Sequence, residues 1–120
     1  MPRDGLAYLS DIVVSCDAIA AALAGMGAEQ YKANRLVRSS VEREFIIIGE
    51  AMSGLSRVAP DSFASITRAR RIVDFRNHLT HGYSQVDDDV VWAIATRDLP
   101  VLRQECAALQ SRLKGTKAAD

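Results

Sequence analysis

Cysteine and histidine are scarce in this sequence, and their positions give no sign of a metal site. Among 120 residues there are two cysteines and two histidines. Cys16 and Cys106 fall at apolar helical positions without a C-x-x-C or Cys/His cluster. We therefore expect two reduced core thiols and no bound metal or other cofactor.

The sequence also gives little indication of export or of membrane insertion. The segment Met1 to Asp4 turns acidic at once and lacks the charged-then-apolar layout of a signal peptide. The longest apolar run, Ala18 to Ala28, is shorter than the about 20 residues that cross a bilayer. These features predict a cytoplasmic protein without membrane contact.

There is no excess of either charge. Fifteen basic residues balance fifteen acidic ones, so no global positive field holds nucleic acid and any RNA contact must be local. With 48% hydrophobic and 25% charged residues, the composition is typical of a globular protein, and the length suits a single domain over 1–120.

Apolar spacing predicts an all-α fold, an up-and-down bundle of four main helices. The first helix follows an N-cap at Asp4 and ends before Gly25-Met26-Gly27. A second is expected over about 33–55, packed centrally or against a partner subunit because Phe45–Ile48 is apolar nearly all round. The expected core stripe of the first helix is Leu6, Leu9, Val13, Cys16, Ala20 and Leu23.

The second half of the chain contains the other two predicted helices. Ser53-Gly54 through Pro60-Asp61 is expected to be a connection. A third helical stretch should end at Gly82, where a residue without Cβ can take a left-handed conformation. Asp87–Asp89 should cap the last helix, and Pro100 should bend or interrupt it.

Both histidines lie in one segment, Arg76-Asn77-His78-Leu79-Thr80-His81-Gly82-Tyr83. Histidine can transfer protons near neutral pH without a metal, and arginine can stabilise negative charge on phosphorus. Together they suffice for RNA cleavage by attack of the ribose 2′-hydroxyl on the adjacent phosphate.

On an ideal helix Asn77 and His81 face the same way, so the Asn77 amide could orient the imidazole. Arg76 and His81 diverge by about 140°. Arg76 must therefore reach round, the helix must unwind near Gly82, or a two-fold dimer must form a shared cleft to which each subunit contributes both residues.

Interpretations without a catalytic role also fit the motif residues and the arginines near them. The R-x-x-x-x-H spacing arises by chance in many helices, and His78 is explained by an exposed helical pair with Asp74. Tyr83 fits a tyrosine at the core edge. Three further arginines are typical of a solvated face, yet their closeness to Arg76 suggests phosphate steering and RNA binding: Arg68, Arg70 and Arg71.

With these residues laid out, the chain resembles the HEPN superfamily, and within it the HepT-like proteins encoded beside minimal nucleotidyltransferases. The family signature R-x-x-x-x-H-x-Y falls on Arg76, His81 and Tyr83, with its polar residue at Asn77. The resemblance spans nearly the whole chain, through Arg3-Asp4, Tyr8-Leu9, Asp11-Ile12, Ile47–Ala51, Phe75–Asn77, His81–Tyr83, Val90–Trp92 and Asp98–Pro100.

The resemblance implies a homodimer whose paired motifs form an RNA-cleaving cleft, acting as the toxin of a toxin-antitoxin pair. His81 would be the general acid or base, Arg76 would stabilise the transition state and Asn77 would orient. The antitoxin, a nucleotidyltransferase, would transfer AMP from ATP to Tyr83, and the added bulk and negative charge would block RNA. The alternatives are a non-catalytic nucleotide- or partner-binding subunit of a two-component nucleotidyltransferase, or a plain helical dimerisation module.

Overall fold

The structure is a computed structural model that describes residues 3–81 and 86–119, with side chains described as far as residue 115. The described residues are helical, without a strand, which confirms the predicted all-α class. The elements are α1 (Gly5–Leu23), α2 (Ala28–Ala33), α3 (Arg35–Val58), α4 (Pro60–Ser65), α5 (Ala69–His81), α6 (Asp88–Ala93), a π-helical turn (Ile94–Asp98) and α7 (Leu99–Ala119).

Four long helices, α1, α3, α5 and α7, form the bundle. Helix α3 is central: it packs against α1 and α5, while α1 also packs against α7. Its buried side carries Val41, Phe45, Ile48, Met52 and Leu55. The structure therefore places the strongly apolar second helix in the interior of the bundle.

Helix α1 begins as predicted, and its buried side overlaps the predicted stripe at Leu9 and Cys16. The Asp4 carboxylate accepts a hydrogen bond from the Ala7 amide at 2.9 Å, which confirms the N-cap. The buried stripe is Leu9, Ile12, Cys16 and Ile19, whereas Ala20 is exposed. Since α1 is apolar nearly all round, spacing alone does not select the buried side, and the bulkier isoleucines take it.

Among the described residues, α1 is the one helix that is long and apolar enough to cross a membrane, judged by length and composition. In the bundle its buried stripe packs against α3 and α7. Part of the apolar surface of α1 is thus used in the protein core, while Val14 on the same helix is 63% exposed.

The connection predicted to begin at Ser53-Gly54 is wrong, because α3 continues to Val58. Gly54 serves a helix-helix contact instead: a Cβ there would lie 2.3 Å from the ring of Tyr8 on α1. A residue type that favours turns locally is here required for close packing. The chain then breaks at Ala59, and Pro60 starts the short helix α4.

Both expectations for the last helix are confirmed. The Asp87 carboxylate accepts hydrogen bonds from the amides of Asp89 and Val90, at 3.0 and 3.4 Å, and so caps α6. Pro100 has no N–H to donate, and the turn before it widens so that the Leu99 amide bonds the Ile94 carbonyl five residues back.

The two cysteines are free and buried, as predicted. Burial raises the pKa of the Cys16 thiol to about 12, and the neighbouring Cys106 adds to this rise. Burial likewise raises the pKa of Cys106 to about 12. Both side chains therefore stay protonated at neutral pH and behave as small apolar core residues.

Candidate active-site face of helix α5

Helix α5 is continuous from Arg76 to His81, so unwinding does not bring the two side chains together within this stretch. The two residues are five positions apart, which places them about 140° apart around the helix axis and about 7.5 Å apart along it. Asn77 and Thr80 lie within the same arc, at about 100° and 40° from Arg76. We call these four residues the motif face.

Arg76 is held against α3. Its aliphatic stem lies on Gly49, where a Cβ would stand only 2.1 Å from the Arg76 Cβ. Its Nη2 donates a hydrogen bond to the Ser53 Oγ at 3.0 Å. The Nε is buried and has no hydrogen-bond partner in the part of the chain that the structure describes.

Two other members of the motif face, Thr80 and His81, are exposed. His81 is exposed in the last turn of α5, and Asn77 is half-buried. The Thr80 hydroxyl donates to the Asn77 carbonyl at 3.2 Å. The face thus combines a guanidinium anchored on the bundle with an accessible imidazole.

Gly49, Ser53 and Thr80 were not among the residues singled out from the sequence as functional. Thr80 could have been found, because it follows Arg76 by four residues and so shares its side of the helix. Ser53 lies 23 residues before Arg76, and no local sequence pattern predicts that contact.

The three arginines predicted to bind RNA do not form one patch. Arg68 precedes α5, has a positive φ of 57° and pairs with Asp98 at 3.7 Å. The Arg70 guanidinium lies over the Phe63 ring, 5.1 Å from its centroid. Arg70 precedes Asn77 by seven residues and falls within the arc of the motif face, whereas Arg71 falls outside that arc, about 80° beyond His81.

Arg71 instead borders a cavity of about 610 Å³ on the other side of α5. The floor of this cavity is apolar and includes Phe45, Phe75 and Ile94. Asp74 and Asp98 also line the cavity, and their two negative charges balance the positive charges of Arg68 and Arg71. This balance does not favour a polyanion, and the cavity is separate from the motif face.

His78 is exposed and lies on the cavity side of α5, about 160° from Arg76 by helical spacing. The predicted ion pair with Asp74 is not formed, since neither an ion pair nor a hydrogen bond joins the two described side chains. His78 therefore falls outside the arc that runs from Arg76 through Thr80 and Asn77 to His81, about 60° beyond His81.

Gly82 and Tyr83 lie outside the described residues. The predicted helix end at Gly82 and the position of Tyr83 relative to His81 therefore stay predictions.

The chain is similar to known proteins over most of its length. Residues 12–109 match the family model described as "Ribonuclease HepT-like". The protein named "Putative RNase MJ1380" of Methanocaldococcus jannaschii is 28% identical over 103 residues, which cover 86% of this chain and 94% of the relative. "Putative RNase MJ1216" of the same organism is 26% identical over 113 residues, covering 94% of this chain and 93% of the relative.

A bacterial relative is named "Putative RNase TTE0752" and comes from Caldanaerobacter subterraneus subsp. tengcongensis. It is 22% identical over 107 residues, which cover 89% of this chain and 95% of the relative. No solved structure matches the chain. On the match of residues 12–109, the chain belongs to the HepT-like ribonuclease family.

Proposed function

We propose that this protein is a metal-independent endoribonuclease whose working groups are Arg76 and His81. The observation that carries the proposal is the motif face itself, where a guanidinium anchored by α3 and an exposed imidazole project from one helix. Membership of a ribonuclease family and the RNase names of the relatives support it.

In the proposed reaction a general base removes the proton of a ribose 2′-hydroxyl. The 2′-oxygen then bonds to the adjacent phosphorus, the bond from phosphorus to the 5′-oxygen breaks, and a general acid protonates the leaving oxygen. His81 serves as acid or base, Arg76 stabilises the extra negative charge, and Asn77 orients the imidazole. The products are a 2′,3′-cyclic phosphate and a 5′-hydroxyl.

The test of this function is incubation of RNA with the purified chain, free of any partner, in the presence of EDTA. Cleavage supports the ribonuclease. An inert chain that binds a nucleotide or a nucleotidyltransferase would instead support the non-catalytic binding subunit, the competing hypothesis from the sequence.

A dimer is the arrangement that best reconciles the reaction with the helix geometry. Arg76 and His81 of one chain diverge by about 140°, so two motif faces related by a two-fold axis could enclose one phosphate between them. Light scattering at micromolar concentration should give the mass of two chains. A monomer that cleaves RNA would rule out the shared cleft.

We further propose that the protein is a cytoplasmic toxin neutralised by AMP transfer to Tyr83 from a nucleotidyltransferase. A phosphate two residues after His81 would repel RNA and occlude the motif face. Intact-mass analysis after co-expression with such a transferase should show the mass of one AMP moiety on the wild type and none on Tyr83→Phe. Unmodified wild type under these conditions would contradict this regulation.

A further inference from the structure

We propose that Ser53 is a positioning residue whose hydroxyl holds the Arg76 guanidinium in the orientation that RNA cleavage requires. The proposal rests on the ribonuclease function proposed above and adds to it a residue on a different helix. Ser53 touches Arg76 and acts through it.

The contact is built by two positions on one side of α3. Gly49 and Ser53 are four residues apart, so they follow one another along that side. The aliphatic stem of Arg76 crosses α3 at Gly49, where no side chain fits. Because the stem lies there, Nη2 comes within 3.0 Å of the Ser53 hydroxyl. The glycine sets the path of the side chain and the serine fixes its end.

The hydrogen bonds of the guanidinium indicate which N–H groups are left for a substrate. Nε is buried within the bundle and Nη2 is bound to Ser53. Nη1 has no partner among residues 3–81 and 86–115. The protein thus encloses Nε and uses one N–H of Nη2, which leaves both N–H groups of Nη1 and the second one of Nη2 to donate to phosphate oxygens.

Ser53 differs from two other helical serines, Ser56 and Ser65, in the use of its hydroxyl. The hydroxyls of Ser56 and Ser65 donate to the backbone carbonyls three residues before them, at 2.6 and 2.7 Å. This local bond is the usual use of a serine within a helix. The Ser53 hydroxyl is instead directed at Arg76 on α5, as a charge-assisted acceptor.

The experiment compares Ser53→Ala with Ser53→Thr, which retains a hydroxyl, and with Ser65→Ala, a control that removes a hydroxyl bonded to the Ser62 carbonyl. Ser53→Ala should lower kcat about tenfold with little change in KM, as expected for a lost hydrogen bond to a charged group. Ser53→Thr and Ser65→Ala should stay within about twofold of the wild type.

A double-mutant cycle separates positioning from general damage. Added to Arg76→Ala, the Ser53→Ala change should have no further effect on the residual rate. An equal loss of rate in both backgrounds, or no loss in the wild-type background, would overturn the role of Ser53.

A second readout does not depend on activity. In NMR spectra of ¹⁵N-arginine-labelled protein, the Arg76 guanidinium should rotate slowly in the wild type and in Ser65→Ala, and faster in Ser53→Ala. If the wild type fails to cleave RNA while this difference is seen, the ribonuclease is rejected and the contact stands. If Ser53→Ala leaves the Arg76 signals unchanged, the contact itself is rejected.

Discussion

Replacing His81 with alanine is expected to slow RNA cleavage by about 10²–10⁴-fold, the usual contribution of a general acid or base. The imidazole is exposed in the last turn of α5, so its loss removes a proton-transfer group without disturbing the core. The measurement is the single-turnover rate on a labelled RNA oligonucleotide in EDTA.

His78→Ala is the matched control for this change. Both histidines are exposed on α5, yet His78 falls outside the arc of the motif face, about 60° beyond His81 by helical spacing. Its replacement should change the rate by less than about twofold, in line with the small effects of surface substitutions. Equal losses in the two variants would mean that the motif face is not the site of the chemistry.

Gly49→Ala is expected to lower the free energy of unfolding by about 1–3 kcal/mol, the usual cost of overpacking. The added Cβ would lie 2.1 Å from the Arg76 Cβ, 2.4 Å from its Cγ and 3.5 Å from its Cα. Rotation of the side chain does not relieve an overlap so close to the backbone, so α5 must move away from α3. Urea denaturation followed by circular dichroism measures the change.

Gly115→Ala provides the control, because Gly115 lies in α7 with nothing within 4 Å of its added Cβ. Alanine there should be neutral or stabilise the protein by up to about 1 kcal/mol, as helix propensity predicts. If Gly49→Ala were also neutral or stabilising, the close approach of Arg76 to α3 would be contradicted. In Gly49→Ala, movement of α5 away from α3 should also slow RNA cleavage, because it displaces Arg76.

The central helix was predictable because its core residues are large and regularly spaced. In α3, Val41 through Leu55 repeat at steps of three and four, and one side is clearly more apolar than the rest. Helix α1 offers no such contrast, so the predicted stripe is confirmed at Leu9 and Cys16 but wrong at Ala20. Ser53-Gly54 resembles a turn locally, but contacts with Arg76 and Tyr8 keep these residues within the helix.

For the candidate site, the sequence placed Arg76, Asn77 and His81 correctly on one helix. It gave no means of finding Gly49 or Ser53, because their roles depend on how α3 and α5 cross. Nor did it separate the neighbouring arginines, which diverge because the chain enters α5 only after Arg68. Spacing within one helix can be predicted from sequence, whereas contacts between helices depend on the packing.

Chemical analysis of the ends of the RNA fragments tests most directly whether Arg76 and His81 act on one phosphodiester. In EDTA the wild type should produce 2′,3′-cyclic phosphate and 5′-hydroxyl ends, and Arg76→Ala and His81→Ala should each produce almost none. Fragments with 5′-phosphate ends, a requirement for a divalent metal, or undiminished cleavage by either variant would contradict the mechanism.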